Sequence, residues 1–399
     1  MAALWTAEDA AKATRGANTG LWKATGMSID TRTLQPGDLF VALRGNALDG
    51  HVYAAQALRA GAAAVMVDTL PPDLPPGAPV LKVSDTLKAL EDLGRFSRAR
   101  SAAKIIAVTG SVGKTGTKEM LAAALSACGS AFATQGNLNN HWGAPLSLAR
   151  MPADVRYAVF ELGMNHAGEI GPLSRLVRPH ASIITTIEAV HLAHFSGLEA
   201  IADAKAEIFE GMEPGGTAIL NADNSQSGRL RQAAEKRGLQ VISFGQQQGA
   251  DVCLLSFVPE DTGSTVTVLA GGETLTYRLS LPGQHMALNS LAVLAAVRAA
   301  GADVAVAAKA LEKLSPVQGR GSRLAVTRPD GTLTIIDDSY NASPAAVKAV
   351  LAVLGQVRSG RKVAILGDML ELGEQADVLH ARLADAVVAA GVEAVHCCG

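Results

Sequence analysis

Residues 105–117 read Ile-Ile-Ala-Val-Thr-Gly-Ser-Val-Gly-Lys-Thr-Gly-Thr, and they predict the fold of the largest part of this chain. The apolar run over 105–108 is typical of a buried parallel strand. A turn rich in glycine follows over 110–113. Lys114 and Thr115 then open a helix whose apolar positions recur at helical spacing. Together these elements predict a strand, a tight turn and a helix that begins beside the end of the strand.

This strand-turn-helix unit has the chemistry of a phosphate-binding loop. Glycines let backbone N–H groups approach an anion, and the start of a helix adds partial positive charge. Lys114 can reach terminal phosphates, and Thr115 can offer its hydroxyl to Mg²⁺. The usual pattern has a glycine at the place of Val108, whereas here it falls at Gly110, so the loop is a variant. The alternative is an ordinary strand-to-helix turn with a chance Gly-Lys-Thr.

Bulk composition limits the classes of protein that need to be considered. A chain of 399 residues predicts two or three domains, and 48% hydrophobic residues suffice for several cores. A formal charge of −2 gives no global attraction to nucleic acid or membrane. The first residues lack the basic start of a signal peptide, and no apolar run is long enough to cross a bilayer. Four cysteines without zinc-ligand spacing indicate free thiols, and we therefore expect a cytoplasmic protein.

Three units follow one another along the chain. Residues 1–103 predict a separate α/β unit, and residues 104–316 alternate strands with helices, as in a mostly parallel sheet. Within this central unit, residues 251–281 predict antiparallel strands. A segment rich in glycine and proline then leads into residues 317–399, with predicted strands at 332–336 and 362–366. This last unit is small for its type, and we expect it to be incomplete.

Two residues in the central unit follow the carboxyl ends of predicted strands, where ligands bind in open α/β sheets. Glu161 ends an apolar strand, and His191 comes after the strand predicted at 181–187. Glu161 is a candidate Mg²⁺ ligand because it would lie near the phosphate loop. A solvated acid at a strand end and a structural histidine are the plain alternatives.

A lysine and a glycine-flanked arginine are further candidates. Lys205 lies on the apolar stripe of a predicted helix. A buried cation is costly there unless it is paired, neutralised or modified. The alternative is that the Lys205 side chain extends toward water. Arg320 lies between two glycines in the predicted linker and could close onto a phosphate, or be a solvated charge. Asp337 and Asp338 end a strand, which indicates either a ligand site or a capped turn.

Taken together, these residues resemble the Mur ligase family, whose members use ATP to add amino acids to the peptidoglycan precursor. The resemblance covers essentially the whole chain. It implies a three-domain α/β architecture: an N-terminal domain for the UDP-substrate, a central phosphate-loop ATPase domain with a mostly parallel sheet, and a C-terminal Rossmann-like domain. It implies ATP contacts by the following residues: Thr109, Gly110, Ser111, Val112, Gly113, Lys114, Thr115, Asn289, Arg320, Asp337 and Asn341.

The same resemblance implies the metal chemistry. Mg²⁺, in two sites, would be held by Thr115, Glu161, His191 and Lys205, the last as a carbamate. A carbamate converts the lysine cation into an anion, which would account for its place on an apolar stripe. Lys114, Lys205, His191 and Arg320 would be the catalytic residues.

Within the family, three stretches are most similar to the activity that adds D-alanyl-D-alanine to the UDP-N-acetylmuramoyl tripeptide. They are Gly-Asn-Leu-Asn-Asn at 136–140, Asp-Asp-Ser-Tyr-Asn-Ala-Ser-Pro at 337–344 and Gly-Asp-Met-Leu-Glu-Leu-Gly at 367–373. The implied contacts to the UDP-substrate are Ser28, Asp30, Thr31, Arg32, Asn137, Asn139 and Asn140. The implied protein is a monomer without nucleic-acid or membrane partners.

Two alternatives remain open at the level of sequence. One is another ligase of the same kind, either the enzyme that adds the third residue as a single amino acid or a folylpolyglutamate synthase, against which the N-terminal unit argues. The other is a nucleotide-binding module without ligase chemistry, which would not depend on a UDP-sugar peptide.

Overall fold

The computed structural model describes residues 3–45, 48–190, 192–329 and 331–399. The N-terminal unit contains a small sheet in the order β2-β7-β6-β5-β4, in which all pairs are parallel except β2 with β7. The strands are β1 (Trp5–Thr6), β2 (Ala17–Asn18), β3 (Lys23–Ala24), β4 (Gly26–Ser28), β5 (Asp38–Val41), β6 (Ala64–Val67) and β7 (Val80–Lys82). The helices are α1 (Ala7–Thr14), α2 (Ala54–Arg59) and α3 (Thr86–Arg100).

The central unit is built on a nine-stranded sheet in the order β16-β15-β14-β13-β12-β11-β8-β10-β9. Its strands are β8 (Lys104–Thr109), β9 (Ala131–Ala133), β10 (Tyr157–Glu161), β11 (Ala181–Ile184), β12 (Thr217–Asn221), β13 (Gln240–Gly245), β14 (Val252–Glu260), β15 (Gly263–Ala270) and β16 (Glu273–Leu279). Its helices are α4 (Lys114–Cys128), α5 (Gly143–Arg150), α6 (Ile170–Val177), α7 (Leu198–Ala206), α8 (Ser227–Lys236), α9 (Gln284–Ala299) and α10 (Val304–Ala310).

The pairing in this sheet has the expected division into two parts. Strands from β9 to β14 pair in parallel, and β14, β15 and β16 pair antiparallel, as the sequence predicts for 251–281. One predicted strand is too long: β11 ends at Ile184 rather than at residue 187. The pairing stops there because the neighbouring strand β8 ends at Thr109, which is the partner of Ile184. The next residue, Thr185, donates its hydroxyl to the carbonyl oxygen of Val112 at 2.6 Å.

Two apolar layers cover the faces of the central sheet. One packs α4, α9 and α10 against one face, and the other packs α5, α6, α7 and α8 against the opposite face. The alternating arrangement of helices on both sides explains why the parallel strands are continuously apolar. Residues 105–108 are buried as the sequence predicts.

The N-terminal unit packs onto the central unit through α5. The indole Nε1 of Trp5 donates to the carbonyl oxygen of Ala149 at 2.8 Å, and Arg150 donates from Nε to the carbonyl oxygen of Met27 at 2.7 Å. Leu146 and Ala149 also belong to the apolar core of the N-terminal unit. Since Ala144 and Leu148 belong to the core of the central unit, α5 is shared by the cores of both units.

The C-terminal unit contains a hairpin and a parallel strand pair. Its strands are β17 (Ser322–Arg328), β18 (Gly331–Asp337), β19 (Val363–Gly367) and β20 (Ala394–Cys398), and its helices are α11 (Pro344–Gly355), α12 (Ala376–Ala381) and α13 (Leu383–Ala389). The strand predicted at 332–336 pairs antiparallel with β17, a strand outside the sequence-based predictions. The strand predicted at 362–366 pairs in parallel with β20.

Local sequence explains where several helices begin. The carboxylate of Asp85 accepts the backbone N–H of Lys88 at the start of α3, and Ser343 caps α11 immediately before Pro344. Among the described residues, none of the helices has the length and apolarity that crossing a bilayer requires.

Candidate active site

The loop between β8 and α4 can only be formed by glycine at two positions. Gly110 has φ +147° and Gly113 has φ +84°, values that L side chains rarely adopt. A Cβ at Gly110 would lie 1.9 Å from the Thr185 hydroxyl oxygen, and a Cβ at Gly113 would lie 2.8 Å from Nδ2 of Asn289. The close approach also shows that Asn289, on α9, borders the loop.

Residues after β11 form hydrogen bonds with the loop. Ser111 donates its backbone N–H to the carbonyl oxygen of Thr186 at 2.9 Å, and its hydroxyl accepts the N–H of Glu188 at 2.9 Å. Asn224 donates to the Thr186 hydroxyl at 3.0 Å. The predicted site residues do not include Thr186, Glu188 or Asn224. Their place beyond the ends of β11 and β12 is the signal that could have identified them.

Lys114 lies at the start of α4 and folds over the loop. Its Nζ donates to the carbonyl oxygens of Gly110 at 2.8 Å and Ser111 at 3.2 Å. Burial lowers the pKa of Lys114, the negative charge of Glu161 raises it, and the positive charge of Arg320 lowers it further. The structure therefore brings these three charged groups within electrostatic reach of one another.

Glu161, at the end of β10, presents one carboxylate oxygen that is already bound and one that is not. Its side chain is 2% exposed, and Oε1 accepts a hydrogen bond from the Asn139 amide at 2.8 Å. Oε2 is buried and has no hydrogen-bond partner among the residues that the structure describes. A buried carboxylate oxygen without a partner is costly, and it suits a hard cation that prefers oxygen ligands. Thr115, buried in the first turn of α4, offers a hydroxyl beside the same loop.

Lys205, on α7, is buried as the apolar stripe predicts. Only 2% of the residue is exposed, and Ile201, Ala202 and Ala204 on the same helix are also buried. Burial, and then the positive charge of Lys114, lower the pKa of Lys205 well below its usual value. Its amine is therefore favoured in the neutral, nucleophilic form.

The segment between β11 and α7 contacts the C-terminal unit. His191 lies outside the residues that the structure describes. Nearby, Ala193 donates its backbone N–H to the carbonyl oxygen of Glu371 at 3.2 Å. His285 lies at the start of α9, close to Gly283. A Cβ added at Gly283 would also lie 2.8 Å from the side chain of Val353 on α11, so the start of α9 is close to the C-terminal unit. Burial lowers the pKa of His285 to about 4, so the imidazole is neutral near pH 7.

The linker and the segment after β18 contact each other at Arg320. The guanidinium of Arg320 stacks over the ring of Tyr340 at 4.3 Å, and Tyr340 donates its N–H to the carbonyl oxygen of Gly319 at 3.1 Å. Asp337 accepts hydrogen bonds from the backbone N–H and the hydroxyl of Ser339, two residues later, and these bonds lower the pKa of Asp337. Burial raises the pKa of Asp338 to about 6, against the opposing effect of the Arg320 charge. Asn341 is exposed.

The residues expected at the UDP-substrate fall into two groups. In the N-terminal unit, Ser28 donates its hydroxyl to the carbonyl oxygen of Asp30 at 2.9 Å. Arg32, with its side chain 87% exposed, bonds the Asp30 carboxylate at 2.6 Å and lowers the pKa of Asp30; Thr31 lies between them.

The second group lies in the loop before α5. The carbonyl oxygen of Asn137 accepts the N–H of Asn139 at 2.7 Å, and Asn140 accepts the N–H of Gly143 at 2.9 Å, which starts α5. The side chain of Asn139 is directed to Glu161. Asn139 and Asn140 also line a cleft of about 410 Å³ with residues of α3 and α6.

Comparison with known proteins gives consistent matches along the chain. The family model for the Mur ligase middle domain matches residues 108–297, that for the Mur ligase glutamate ligase domain matches 322–399, and that for the Mur ligase family catalytic domain matches 23–98. The UDP-N-acetylmuramoyl-tripeptide--D-alanyl-D-alanine ligase of Escherichia coli K12 is 37% identical over 369 residues, which are 92% of this chain and 80% of that protein.

Solved structures agree with the sequence comparisons. A crystal structure of MurF from Acinetobacter baumannii superimposes with a TM-score of 0.84 at 33% identity, covering 98% of this chain and 89% of that one. The MurF ligase of Thermotoga maritima in complex with ADP gives a TM-score of 0.77 at 27% identity, covering 93% of this chain and 83% of that one.

Proposed function

Because this chain belongs to the Mur ligase family, we propose that it uses ATP to join D-alanyl-D-alanine to the UDP-N-acetylmuramoyl tripeptide through an acyl phosphate. The activity is that of an ATP-dependent ligase of peptidoglycan precursor synthesis, as in the relatives that match it over most of its length. The observation that carries the mechanism is the glycine loop, over which Lys114 is folded, together with the buried Oε2 of Glu161, which has no hydrogen-bond partner among the described residues.

Amide formation in water requires an activated acyl group, and the phosphate loop is where ATP supplies it. The terminal carboxylate of the tripeptide attacks the γ-phosphorus, a new oxygen–phosphorus bond forms, and ADP leaves. Lys114 and the backbone N–H groups of Gly110, Val112 and Gly113 would stabilise the negative charge that develops on the phosphate oxygens. The free amine of the dipeptide then attacks the acyl carbon, loses a proton, and displaces phosphate.

Arg320 and Asn289 would both contact the nucleotide. Asn289 borders the loop at Gly113, and we assign it to the adenine side of ATP. The positive charge of Arg320 lowers the pKa of Lys114, and it would add to the positive potential at the phosphates. Asp337 and Asn341 lie on the same C-terminal segment and complete the proposed ATP contacts. Alignment of the reactants by closure of the domains accounts for part of the rate enhancement.

Mg²⁺ fits the oxygen-rich side of the site. Thr115, Glu161 and His191 would bind it, and the free Oε2 of Glu161 is the observation that supports this assignment. When bound, Mg²⁺ offsets the charge of the phosphate oxygens. Lys205 would hold a second ion as a carbamate: its neutral amine attacks the carbon of CO₂, a nitrogen–carbon bond forms, and the proton is lost to water. The lowered pKa of Lys205 favours this reaction because it supplies the neutral amine.

The remaining assignments complete the proposal. Residues 1–103 would bind the UDP-substrate, residues 104–316 ATP, and residues 317–399 would form the closing domain. Ser28, Asp30, Thr31 and Arg32 in the first unit and Asn137, Asn139 and Asn140 in the second would contact the substrate. We place the protein in the cytoplasm as a monomer.

The test is phosphate release from ATP with the UDP-N-acetylmuramoyl tripeptide, in the presence and absence of D-alanyl-D-alanine. We expect release to require both substrates, and the pentapeptide product to appear by mass spectrometry. As a control, meso-diaminopimelate or lysine replaces the dipeptide and gives no product. ATP hydrolysis that does not depend on the UDP-sugar peptide would indicate a nucleotide-binding module instead.

A further inference from the structure

Lys118 is a buried cation that the proposed mechanism does not use. It lies one helical turn after Lys114 on α4, and it has 0% exposure. Its Nζ donates to the carbonyl oxygens of Thr134 at 2.8 Å and Gly136 at 3.4 Å, and it lies 2.7 Å from the carboxylate of Glu119. An ammonium group has three N–H donors, so these three acceptors satisfy all of them.

The two carbonyl groups belong to the segment that carries Asn139. Thr134 continues the line of β9, because its N–H donates to the carbonyl oxygen of Val159 on β10 at 2.9 Å. Gly136, with φ +56°, then turns the chain toward Asn139. Asn139 is fixed at both ends: its carbonyl oxygen accepts the N–H of Gly163 at 2.9 Å, and its amide donates to Glu161 at 2.8 Å.

We propose that Lys118 is a positioning residue for the ligase reaction. It fixes residues 134–140, and this places the amide of Asn139 on one oxygen of the Glu161 carboxylate and leaves the other oxygen free. The inference rests on the proposed function, in which that free oxygen binds Mg²⁺. Groups that orient a metal ligand commonly change metal affinity by about 10- to 100-fold when they are removed. Lys118 acts one contact further away, so we expect an effect near the lower end of that range.

Burial of the charge argues for a role beyond filling space. An ammonium group is costly to desolvate, and apolar residues of similar size often replace buried ion pairs without loss of stability. A methionine would fill most of the same volume without that cost. The methionine side chain has no N–H group, so it could not hold the two carbonyl groups of the loop in a fixed orientation. The alternative role is a link between α4 and the loop that contributes to stability only.

The experiment measures metal binding rather than turnover. Mn²⁺ replaces Mg²⁺, a non-hydrolysable ATP analogue is present at saturation, and free Mn²⁺ is quantified by electron paramagnetic resonance. We expect Lys118→Met to weaken Mn²⁺ binding about tenfold, and Asn139→Ala to weaken it at least as much. The double variant should bind no more weakly than Asn139→Ala alone, because both changes act through the same contact. Glu119→Gln is the matched control: it changes the exposed partner of Lys118 and leaves both loop contacts, so Mn²⁺ binding should change less than twofold.

The outcomes separate the inference from the proposed function. If Lys118→Met unfolds at a lower temperature yet binds Mn²⁺ as the wild type does, Lys118 is only a structural link and the inference is wrong. If Glu161→Gln leaves Mn²⁺ binding unchanged, the metal assignment of the proposed function fails instead. Should Lys118→Met not fold, Lys118→Gln takes its place. Glutamine lacks the three N–H donors of the ammonium group and cannot hold both loop carbonyl groups and Glu119, so we again expect weaker Mn²⁺ binding, and wild-type binding would again contradict the inference.

Discussion

Replacement of Gly110 by alanine tests whether the geometry of the phosphate loop determines nucleotide binding. At φ +147° an alanine is strained, and its Cβ would lie 1.9 Å from the Thr185 hydroxyl oxygen and 3.1 Å from the Thr185 backbone nitrogen. The hydroxyl can rotate away, but the backbone nitrogen cannot, because it donates to the carbonyl oxygen of Thr109 at 3.0 Å. The loop must therefore change shape.

The size of the effect follows from the strain. Sparsely populated backbone conformations cost about 1–3 kcal/mol each, which corresponds to about 5- to 150-fold in binding. If the loop relaxes to avoid this cost, its N–H groups no longer converge on the phosphates. We therefore expect Gly110→Ala to bind ADP at least about fivefold more weakly than the wild type, as measured by isothermal titration calorimetry.

Gly116→Ala is the control from the same region. Gly116 lies within α4, and an added Cβ would meet only the flexible end of Met286, at 3.3 Å. ADP affinity should then stay within about twofold of the wild type, since methionine adapts readily. The second comparison is Gly110→Ala combined with Thr185→Ala, which removes the hydroxyl contact but not the backbone strain, and so should recover only part of the affinity. Wild-type affinity for Gly110→Ala alone would refute the reasoning.

Three further changes test other parts of the site. Lys205→Ala should abolish product formation, and short carboxylic acids added to the assay should restore part of it; full activity without them, or no recovery, contradicts the carbamate role. Asn289→Ala should raise the KM for ATP about tenfold, through the loss of about one hydrogen bond, and leave the KM for the tripeptide substrate unchanged in steady-state kinetics. Asp338→Asn should raise the Tm at pH 8 and not at pH 4, because the raised pKa of Asp338, about 6, means that its ionised form destabilises the native state above that pH. An equal Tm difference at both pH values would contradict this assignment.

Local sequence was sufficient for the elements whose signals lie within a few residues. The strand over 105–108, the glycine turn and the start of α4 follow from hydrophobic spacing and from the conformations that glycine allows. Burial of Lys205 followed from its place on an apolar helical stripe. The same type of evidence predicted that 251–281 form antiparallel strands, as they do in β14, β15 and β16.

Spacing could not predict contacts that depend on strand order. The hairpin partner β17 was missed because its residues alternate weakly and most of them are exposed. The strand predicted at 181–187 ends at Ile184 because its partner in the sheet, β8, ends at Thr109, a residue more than seventy positions earlier in the chain. Asn139 was expected at the UDP-substrate, and no local signal indicated that its amide would be bonded to Glu161.

The sequence by itself determined that a strand, a glycine turn and a lysine-bearing helix form a phosphate-binding loop, because these elements depend on neighbours a few residues apart. Only the tertiary structure decided what surrounds the loop. β8 lies between β11 and β10, both of which come later in the chain, so the residues at their ends become neighbours only when the sheet assembles. That order brings Glu161, Thr185 and the segment from Thr134 to Asn139 together, and it gives Lys118 its acceptors.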